Sequence, residues 1–298
     1  MPKEYKFENI IGTFTFDEQF RVKSEKLFAN KEQTIQIGNE SLKKILQSLK
    51  NKKYFNHFYK NNLILTKQKI KDSVSDHLLI IQTISSIEEI DRVANILAKR
   101  LREWYSYYLP EFPKSIQSHE KFVELIISKD KNQLLKEIKL KKEDSMGADI
   151  SSDDLKPIMA LAEQLNSLYQ FKENQKNYLE KIMKKTCPNL LAIAGPSIGA
   201  RLIQHAGSLK HLTEIPASTI QLLGAEKALF RHMKTGARPP KYGLIYSHQL
   251  IAQAKKKDQG KVARGLADKI SIAIKVDYFK GEFIGDKLRK QLEKKFKR

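Results

Sequence analysis

Between residues 115 and 185 the chain holds a single glycine, Gly147, and a single proline, Pro157. A stretch of that length with so few turn formers cannot fold as short strands joined by hairpins, because each hairpin needs its own turn residues. It can fold as long helices. Both exceptions fall within residues 146–157, where Gly147 and the run DISSDD mark a hairpin tip or a break between two helices. Ser152 or Asp153 is the expected N-cap of the second helix, with Pro157 early in its first turns. Further on, Leu155, Ala162, Tyr169 and Met183 share one seven-residue register, and Ile158, Leu165 and Leu179 share the companion register. That is the seam of a coiled coil, interrupted by Lys172 and Lys176. The expectation is a coiled-coil hairpin over residues 115–185; the alternative is two amphipathic helices lying on a globular core. An exposed apolar seam of that length needs a partner, and a second copy of the chain is the simplest one. Leu155, Ile158, Ala162, Leu165, Tyr169, Leu179 and Met183 are thus the candidate dimerisation residues.

The segment before it, residues 1–114, reads as a small α+β domain. Residues 10–16 alternate and are rich in β-branched and aromatic side chains, Asp17 and Glu18 offer a turn, and residues 20–22 return as a hairpin strand. Residues 41–49 read as a short helix and residues 63–65 as a further strand. Over residues 75–108 the pattern becomes helical, with Leu79, Thr83, Ile87, Ile90, Val93, Ala94, Leu97, Leu101 and Trp104 at three- and four-residue steps. Pro110 and Pro113 mark a boundary. The last segment, residues 186–298, reads as all-α, with helices over 198–205, 208–213, 225–235, 261–278 and 285–296. The expected fold class is mainly α: a small α+β N-terminal domain, a long helical coiled-coil hairpin and an all-α C-terminal domain.

The charge is lopsided. There are 55 Lys and Arg against 34 Asp and Glu, a formal net charge of +21. Residues 186–298 alone hold 22 Lys and Arg against 8 Asp and Glu, a surplus of 14. Cationic excess focused on one segment favours long-range attraction to nucleic acid over a uniformly basic surface. The single cysteine, Cys187, excludes an intrachain disulfide and a cysteine-based zinc cluster, and fits a reducing cytosol. The opening MPKEYKFENI lacks the apolar core of a signal peptide, and no stretch approaches the ~18 uninterrupted apolar residues of a membrane span. A cytoplasmic protein with no membrane partner is expected.

The densest basic stretch is GAEKALFRHMKTGARPPK at 224–241, in which Glu226 is the sole carboxylate against Lys227, Arg231, Lys234, Arg238 and Lys241. GAEK places a helix N-terminus beside Lys227, and free N–H groups there attract phosphate. Lys227 and Arg231 lie four apart on one helix face, and Gly236, Pro239 and Pro240 stiffen the loop that presents Arg238 and Lys241. On the later helix Lys261 and Arg264 share a face that Lys275 continues. Tyr242, Tyr246, Tyr278 and Phe279 could stack on bases, but YGLIY and VDYF read as core packing. GPSIGAR at 195–201 lacks the Gly-Lys-Ser/Thr of a phosphate loop and the spacing of a dinucleotide fingerprint; Gly199 and Ala200 instead let two helices approach closely. His57, His77, His119, His205, His211, His232 and His248 show no metal-ligand spacing, and no paired carboxylates stand in an apolar setting. Binding, not bond-making, is the reading, and no metal site is expected.

The words IPASTIQLLGAEKALFRHMKTGARPPKYGLIYSH and GKVARGLADKISIAIKVDYFKGEFIGDKLRKQLE resemble the Nop domain of archaeal-type box C/D ribonucleoprotein core proteins. GADISSDDL at the hairpin tip and REWYSYYLPEFP at 102–113 fit the same family, while the first hundred residues match less distinctively. The resemblance implies a non-catalytic scaffold. Its N-terminal domain (1–114) would dock the methyltransferase fibrillarin, its hairpin (115–185) would form a homodimer, and its Nop domain (186–298) would clamp a guide-RNA kink-turn together with the small kink-turn-binding protein. Ribosomal RNA would then be methylated on ribose 2′-hydroxyls, with S-adenosylmethionine held by fibrillarin and no cofactor on this chain. Carried over by motif, Gly224, Ala225, Glu226, Lys227 and Arg231 would lie near the guide or its duplex, and Lys241, Lys261, Arg264 and Lys275 near the kink-turn backbone. Two alternatives stand beside it: a splicing-type Nop-domain protein on a small nuclear RNA, and an RNA-modifying enzyme in its own right.

Overall fold

The computed structural model describes residues 5–27 and 39–296. They fall into two compact units, one up to Ser75 and one from Asp76 onward.

In the first unit β1 (Tyr5–Glu8), β2 (Gly12–Phe16) and β3 (Val22–Leu27) form an antiparallel sheet in that order. Phe7 sits opposite Phe14, and the period of two puts Phe14 and Phe16 on one face. That face is buried against Ile11, Ile45, Leu49 and Tyr54. Asn9 closes the first turn by accepting from the N–H groups of Ile11 (2.9 Å) and Gly12 (3.2 Å). Asp17 closes the second by accepting from Gln19 and Arg21, as the sequence anticipates. α1 (Asn39–Leu49) and α2 (Lys52–Ser73) follow. The strand expected at 63–65 lies inside α2. Three apolar residues in a row suit either element, and the absence of Gly and Pro from the surrounding twenty-two residues decides for the helix. Asn61, buried on α2, donates to the Ile10 carbonyl at 2.7 Å and ties the helix to the sheet.

The second unit opens with α3 (Asp76–Tyr105), whose buried residues Ile80, Ile84, Ile87, Ile90, Ala94, Ala98, Leu101 and Tyr105 recur at helical spacing. Three short helices, α4 (Glu111–Ser115), α5 (His119–Ser128) and α6 (Lys131–Glu137), lead to α7 (Ser152–Thr186). The α7 N-cap is Ser151, one residue before the expected position; its hydroxyl accepts from the Asp154 N–H. α7 runs antiparallel to α3. Asp76, at the start of α3, meets Lys185 (3.0 Å) and Thr186 (3.4 Å) at the end of α7, and Asp91 meets Lys172 (3.0 Å) midway.

This pairing corrects the expectation about the seam. Ile158, Ala162 and Leu165 are buried with Ala94, Ala98, Leu101 and Phe122, while Leu155 and Tyr169 are partly buried against the same cluster. Leu179 and Met183 are buried with Ile80, Ile84 and Leu190. The seam is filled by the chain's own helices: Ile158, Ala162, Leu165, Leu179 and Met183 are intramolecular core and are not available to a second copy, while Leu155 and Tyr169 are half-buried at its edge. The hairpin is formed by α3 and α7, not within 115–185, and residues 106–151 cap its end. Lys172, read as a break in the seam, is only 12% exposed because it bridges Asp91 and Glu120. Arg102 fixes the cap: its guanidinium donates to the Pro113 carbonyl (2.6 Å), the Ser118 carbonyl (3.0 Å) and His119 Nδ1 (2.8 Å), and lies over the Phe122 ring.

The chain continues through α8 (Pro188–Ala206), α9 (Leu209–Glu214), α10 (Ala217–Leu222) and α11 (Glu226–Thr235). A 3-10 turn at Leu244–Ser247 then precedes α12 (Gln249–Ala252), α13 (Gln259–Tyr278) and α14 (Gly285–Phe296). α8 is kinked where Gly195 takes φ 75° ahead of Pro196, which is why its first half does not read as helix in the sequence. A Cβ on Gly199 would stand 2.7 Å from the Met183 side chain, the close approach of α8 to α7 that the sequence anticipates. Asp277, buried near the end of α13, accepts from the N–H of Asn189 (3.0 Å), the Asn189 amide (2.8 Å) and the N–H of Leu190 (2.8 Å). The same Asn189 accepts from the Ile284 N–H at 2.7 Å.

Candidate nucleic-acid interface

The sequence-predicted basic residues sit on three linked pieces: α11, the loop after it, and α13. Gly224 makes the turn into α11 with φ 87°, and a Cβ there would meet the Leu244 side chain at 2.5 Å. Leu244 is held in place by its own N–H, which donates to the Leu223 carbonyl at 2.7 Å, while Gly243 donates to Gln221 at 2.8 Å. Gln221 in turn donates to the Lys241 carbonyl at 2.6 Å. Lys241 adjoins Gly260 at the start of α13, and the Tyr242 hydroxyl donates to Gln259 at 2.9 Å. The structure therefore brings Gly224, Ala225, Glu226, Lys241 and Lys261 into one neighbourhood. At the other end of α11 the His232 ring bonds to the Ala237 carbonyl, which holds the loop that carries Arg238.

α13 separates its faces cleanly. Val262, Ala263, Leu266, Ala267, Ile270, Ala273 and Ile274 are buried, and Lys261, Arg264 and Lys275 are exposed on the opposite stripe. At about 1.5 Å of rise per residue, Lys275 lies roughly 20 Å along the axis from Lys261, so it extends the basic stripe and does not join the cluster at its head. Among the described residues, the salt bridges include none of Lys227, Arg231, Arg238, Lys241, Lys261, Arg264 or Lys275. Elsewhere Lys172, Lys185 and Arg201 are paired. Fixed cations without internal counter-ions are what a polyanion can neutralise with release of its own bound ions.

Two parts of the sequence reading change. At the start of α11 Glu226 folds back and its Oε1 accepts from the Gly224 N–H at 2.6 Å, which sets a carboxylate beside the N–H groups read as a phosphate site. Burial pushes the Glu226 carboxyl up, but hydrogen bonds from the Gly224 and Glu226 N–H groups outweigh it and hold the carboxyl below its ordinary range. The aromatic residues assigned to the core are largely at the surface. Tyr246, Tyr278 and Phe279 are exposed, and Tyr246 stacks on Tyr242 with ring centroids 4.8 Å apart. Sequence reasoning also missed Phe230 and Met233, which are 66% and 75% exposed on α11, a helix with no buried residue. Leu229, Phe230 and Met233 share one face of α11, beside the face of Lys227, Arg231 and Lys234, so the sequence reads as an ordinary amphipathic helix and carries no signal that this apolar face is left uncovered. Among the described residues no group of three or more His, Cys, Asp or Glu is placed to hold a metal, and no helix is long and apolar enough to cross a membrane.

Residues 86–298 match the family described as Nop, a snoRNA binding domain, fibrillarin. The chain belongs to the Nop family. It is 42% identical over 246 residues to an uncharacterized NOP5 family protein of Methanocaldococcus jannaschii, covering 78% of this chain and 59% of that protein. It is likewise 42% identical over 218 residues to nucleolar protein 58 of Candida albicans, covering 68% of this chain and 42% of that protein. The chain thus spans between two-fifths and three-fifths of the length of these Nop relatives. A chain in a crystal structure described as a fibrillarin/Nop5p complex aligns over 98% of this chain and 99% of its own length, with a TM-score of 0.48 and 20% identity. The Nop match takes in α7 through α14, the elements that carry every candidate basic residue, and most of α3.

Proposed function

We propose that this chain is a non-catalytic scaffold of a box C/D guide ribonucleoprotein in the cytoplasm. It bridges a guide RNA, held at its kink-turn with the small kink-turn-binding protein, to fibrillarin for 2′-O-methylation of ribosomal RNA. The observation that carries the reading is the set of seven unpaired cations on α11, its following loop and the outer stripe of α13, all inside the segment matched to an snoRNA-binding family. RNA shape is read through backbone and ribose contacts, which suits a rigid surface of fixed charges.

The first unit suits fibrillarin docking. Beside its sheet lies a hollow of about 820 Å³ lined by Phe7, Ile11, Leu46, Tyr54, Phe55 and Phe58, with Leu46, Phe55 and Phe58 exposed at its rim. Exposed apolar and aromatic side chains gathered in one patch mark a surface that another protein can cover. Self-association is part of the same reading, but its surface lies outside the filled seam. Val93, Ile96 and Trp104 are among the exposed apolar side chains of α3. S-adenosylmethionine belongs to fibrillarin in this scheme, and this chain supplies position only.

The test is binding to a synthetic kink-turn RNA preloaded with the small kink-turn-binding protein, measured from 50 to 300 mM salt. Changing Lys241 and Arg264 together to Ala is expected to weaken binding and to reduce the slope of log K against log salt by about 1 to 2, since each phosphate contact contributes roughly 0.7 to 0.9. An unchanged slope would refute the assignment. Turnover of methyl donor by the purified chain without fibrillarin would favour an enzyme.

A further inference from the structure

One exposed line runs the length of α13. Lys261, Arg264, Asp268, Ile272, Lys275 and Phe279 are all exposed, and at 3.6 residues per turn they fall within an arc of about 80°. The line begins in the basic cluster and ends on a phenylalanine ring that is 74% exposed. The turn that follows carries a second exposed ring, Phe283, and Tyr278 stands edge-on to Phe279 with ring centroids 5.1 Å apart. None of the three rings belongs to the core beneath, which takes Ile274 and Leu288 from either side of the turn.

The turn itself is pinned. Asp277 before it accepts from the Asn189 amide at 2.8 Å, and Ile284 after it donates its N–H to the same side chain at 2.7 Å. α13 closes in a Schellman motif, with the Gly281 N–H on the Val276 carbonyl (2.8 Å) and the Lys280 N–H on the Asp277 carbonyl (3.2 Å). Glycine usually takes the left-handed position of that motif; here Lys280 takes it, at φ 53°. A side chain is disfavoured there where glycine is not, so a cation is kept between the two phenylalanines although the turn would close more readily with glycine. Among the described residues, the salt bridges include neither Lys275 nor Lys280. Exposed rings on a fixed backbone lose little freedom when a ligand covers them. Rings beside unpaired cations suit unpaired nucleotides, whose bases stack while their phosphates are neutralised.

We propose that residues 278–283 form a stacking site for unpaired nucleotides of the RNA. Phe279 and Phe283 take base faces, and Lys275 and Lys280 take the adjoining phosphates. The proposal rests on the RNA-binding reading above and extends it: the kink-turn is held at the head of α13, and single strand leaving it is held about 27 Å further along the same helix. Stacking tolerates every base, so the site positions a strand without reading its sequence. A protein is the other occupant that exposed aromatic residues invite; the two free lysines and the line shared with Lys261 and Arg264 favour RNA.

The experiment uses the full chain as wild type, Phe279→Ala and Phe279→Trp. Each is titrated against three RNAs preloaded with the small kink-turn-binding protein: a blunt kink-turn, the same RNA with about eight unpaired nucleotides added to each strand end in turn, and the same extensions made abasic. Wild type is expected to bind one extended RNA about tenfold tighter than the blunt one, and 2-aminopurine in that extension is expected to lose fluorescence on binding. Phe279→Ala is expected to keep its affinity for the blunt RNA and to lose most of that gain, while Phe279→Trp retains it. The abasic extension keeps the phosphates and is expected to gain less than about twofold. The proposal is overturned if no extension tightens binding by wild type, or if the abasic extension gains as much as the natural one. It is also overturned if Phe279→Ala weakens blunt and extended RNA by the same factor, which would set the rings against the kink-turn-binding protein. Failure of wild type to bind the blunt RNA would instead remove the RNA reading on which the proposal rests.

Discussion

Replacing Leu165 by Ala separates an internal seam from a dimer seam. Leu165 is fully buried, in a cluster with Ala98, Leu101, Phe122 and Ile158 from α3, α5 and α7 of the same chain. Truncating a buried leucine costs about 3 kcal/mol, within a range of roughly 2 to 5 set by how far the site can collapse. The unit from Asp76 to Arg298 has 223 residues by its bounds. At roughly 2.1 cal/mol/K per residue its unfolding entropy is about 470 cal/mol/K, so the melting temperature should fall by about 6 °C. Thermal unfolding followed by circular dichroism gives the shift, and light scattering on the same samples gives the molar mass. The expected outcome is a lowered melting point with an unchanged mass. A halved mass with a shift under about 2 °C would mean that Leu165 faces another copy, and the packing of α7 on α3 described above would be wrong. Ile96→Glu is the counterpart: Ile96 is 68% exposed within the chain and lies on the face proposed for self-association, so it is expected to lower the molar mass in light scattering, the reverse of the Leu165 outcome.

Gly224→Ala forces a side chain onto a residue at φ 87° and into the Leu244 side chain, and is expected to destabilise the α10–α11 turn by about 1 to 3 kcal/mol. Limited proteolysis between residues 222 and 245 should accelerate, with RNA affinity falling alongside; equal cleavage rates would refute it. His248 and His119 both have pKa values lowered chiefly by burial, so both are neutral in the folded chain. His248 Nδ1 accepts from the Leu250 N–H at 3.2 Å, and its Nε2 bonds to the Ile193 carbonyl at 2.9 Å. The unfolded chain therefore binds these protons first as pH falls. Their contribution is complete above about pH 6.5 and is lost on descent from there toward their lowered native values. Melting temperature should decline between pH 7 and pH 5, and His248→Gln should flatten part of that decline; a profile unchanged by the substitution would show that His248 does not take part.

The helices that stand out by period are legible in the sequence. α3, α13 and α14 fall within a few residues of the expected spans: α3 and α13 have long apolar stripes and run into turns, and α14 starts at Gly285 with Leu288, Leu292 and Phe296 at four-residue steps. The hairpin of β2 and β3 was legible for a similar reason, since Asp17 supplies the turn. What was not legible is partnership. The heptads of α7 specify an apolar face, but the same face serves a neighbouring helix of the same chain as well as it serves a copy, and nothing in the register distinguishes the two. The first half of α8 was hidden by Gly195 and Pro196, which read locally as a break although the chain only kinks. In the basic region the positions of Lys227, Arg231, Lys261 and Arg264 were recoverable from charge and spacing. The inward fold of Glu226 was not, since it depends on Ala225 leaving a helix start uncapped. Nor was the exposure of Tyr246 and Phe279, which depends on what the neighbouring elements leave uncovered.

The junction of Asn189, Asp277 and Ile284 fastens together positions ninety-five residues apart. Everything that faces the polyanion in the proposed complex hangs between those two anchored posts. Insertions or deletions in the Gly236 to Lys241 loop, or around Lys255 to Lys257, would lengthen or shorten the span without shifting the posts. Contact surfaces in this part of the fold are thus free to drift from one relative to another while the frame stays put, whereas a change at Asn189 or Asp277 would loosen the whole span at once.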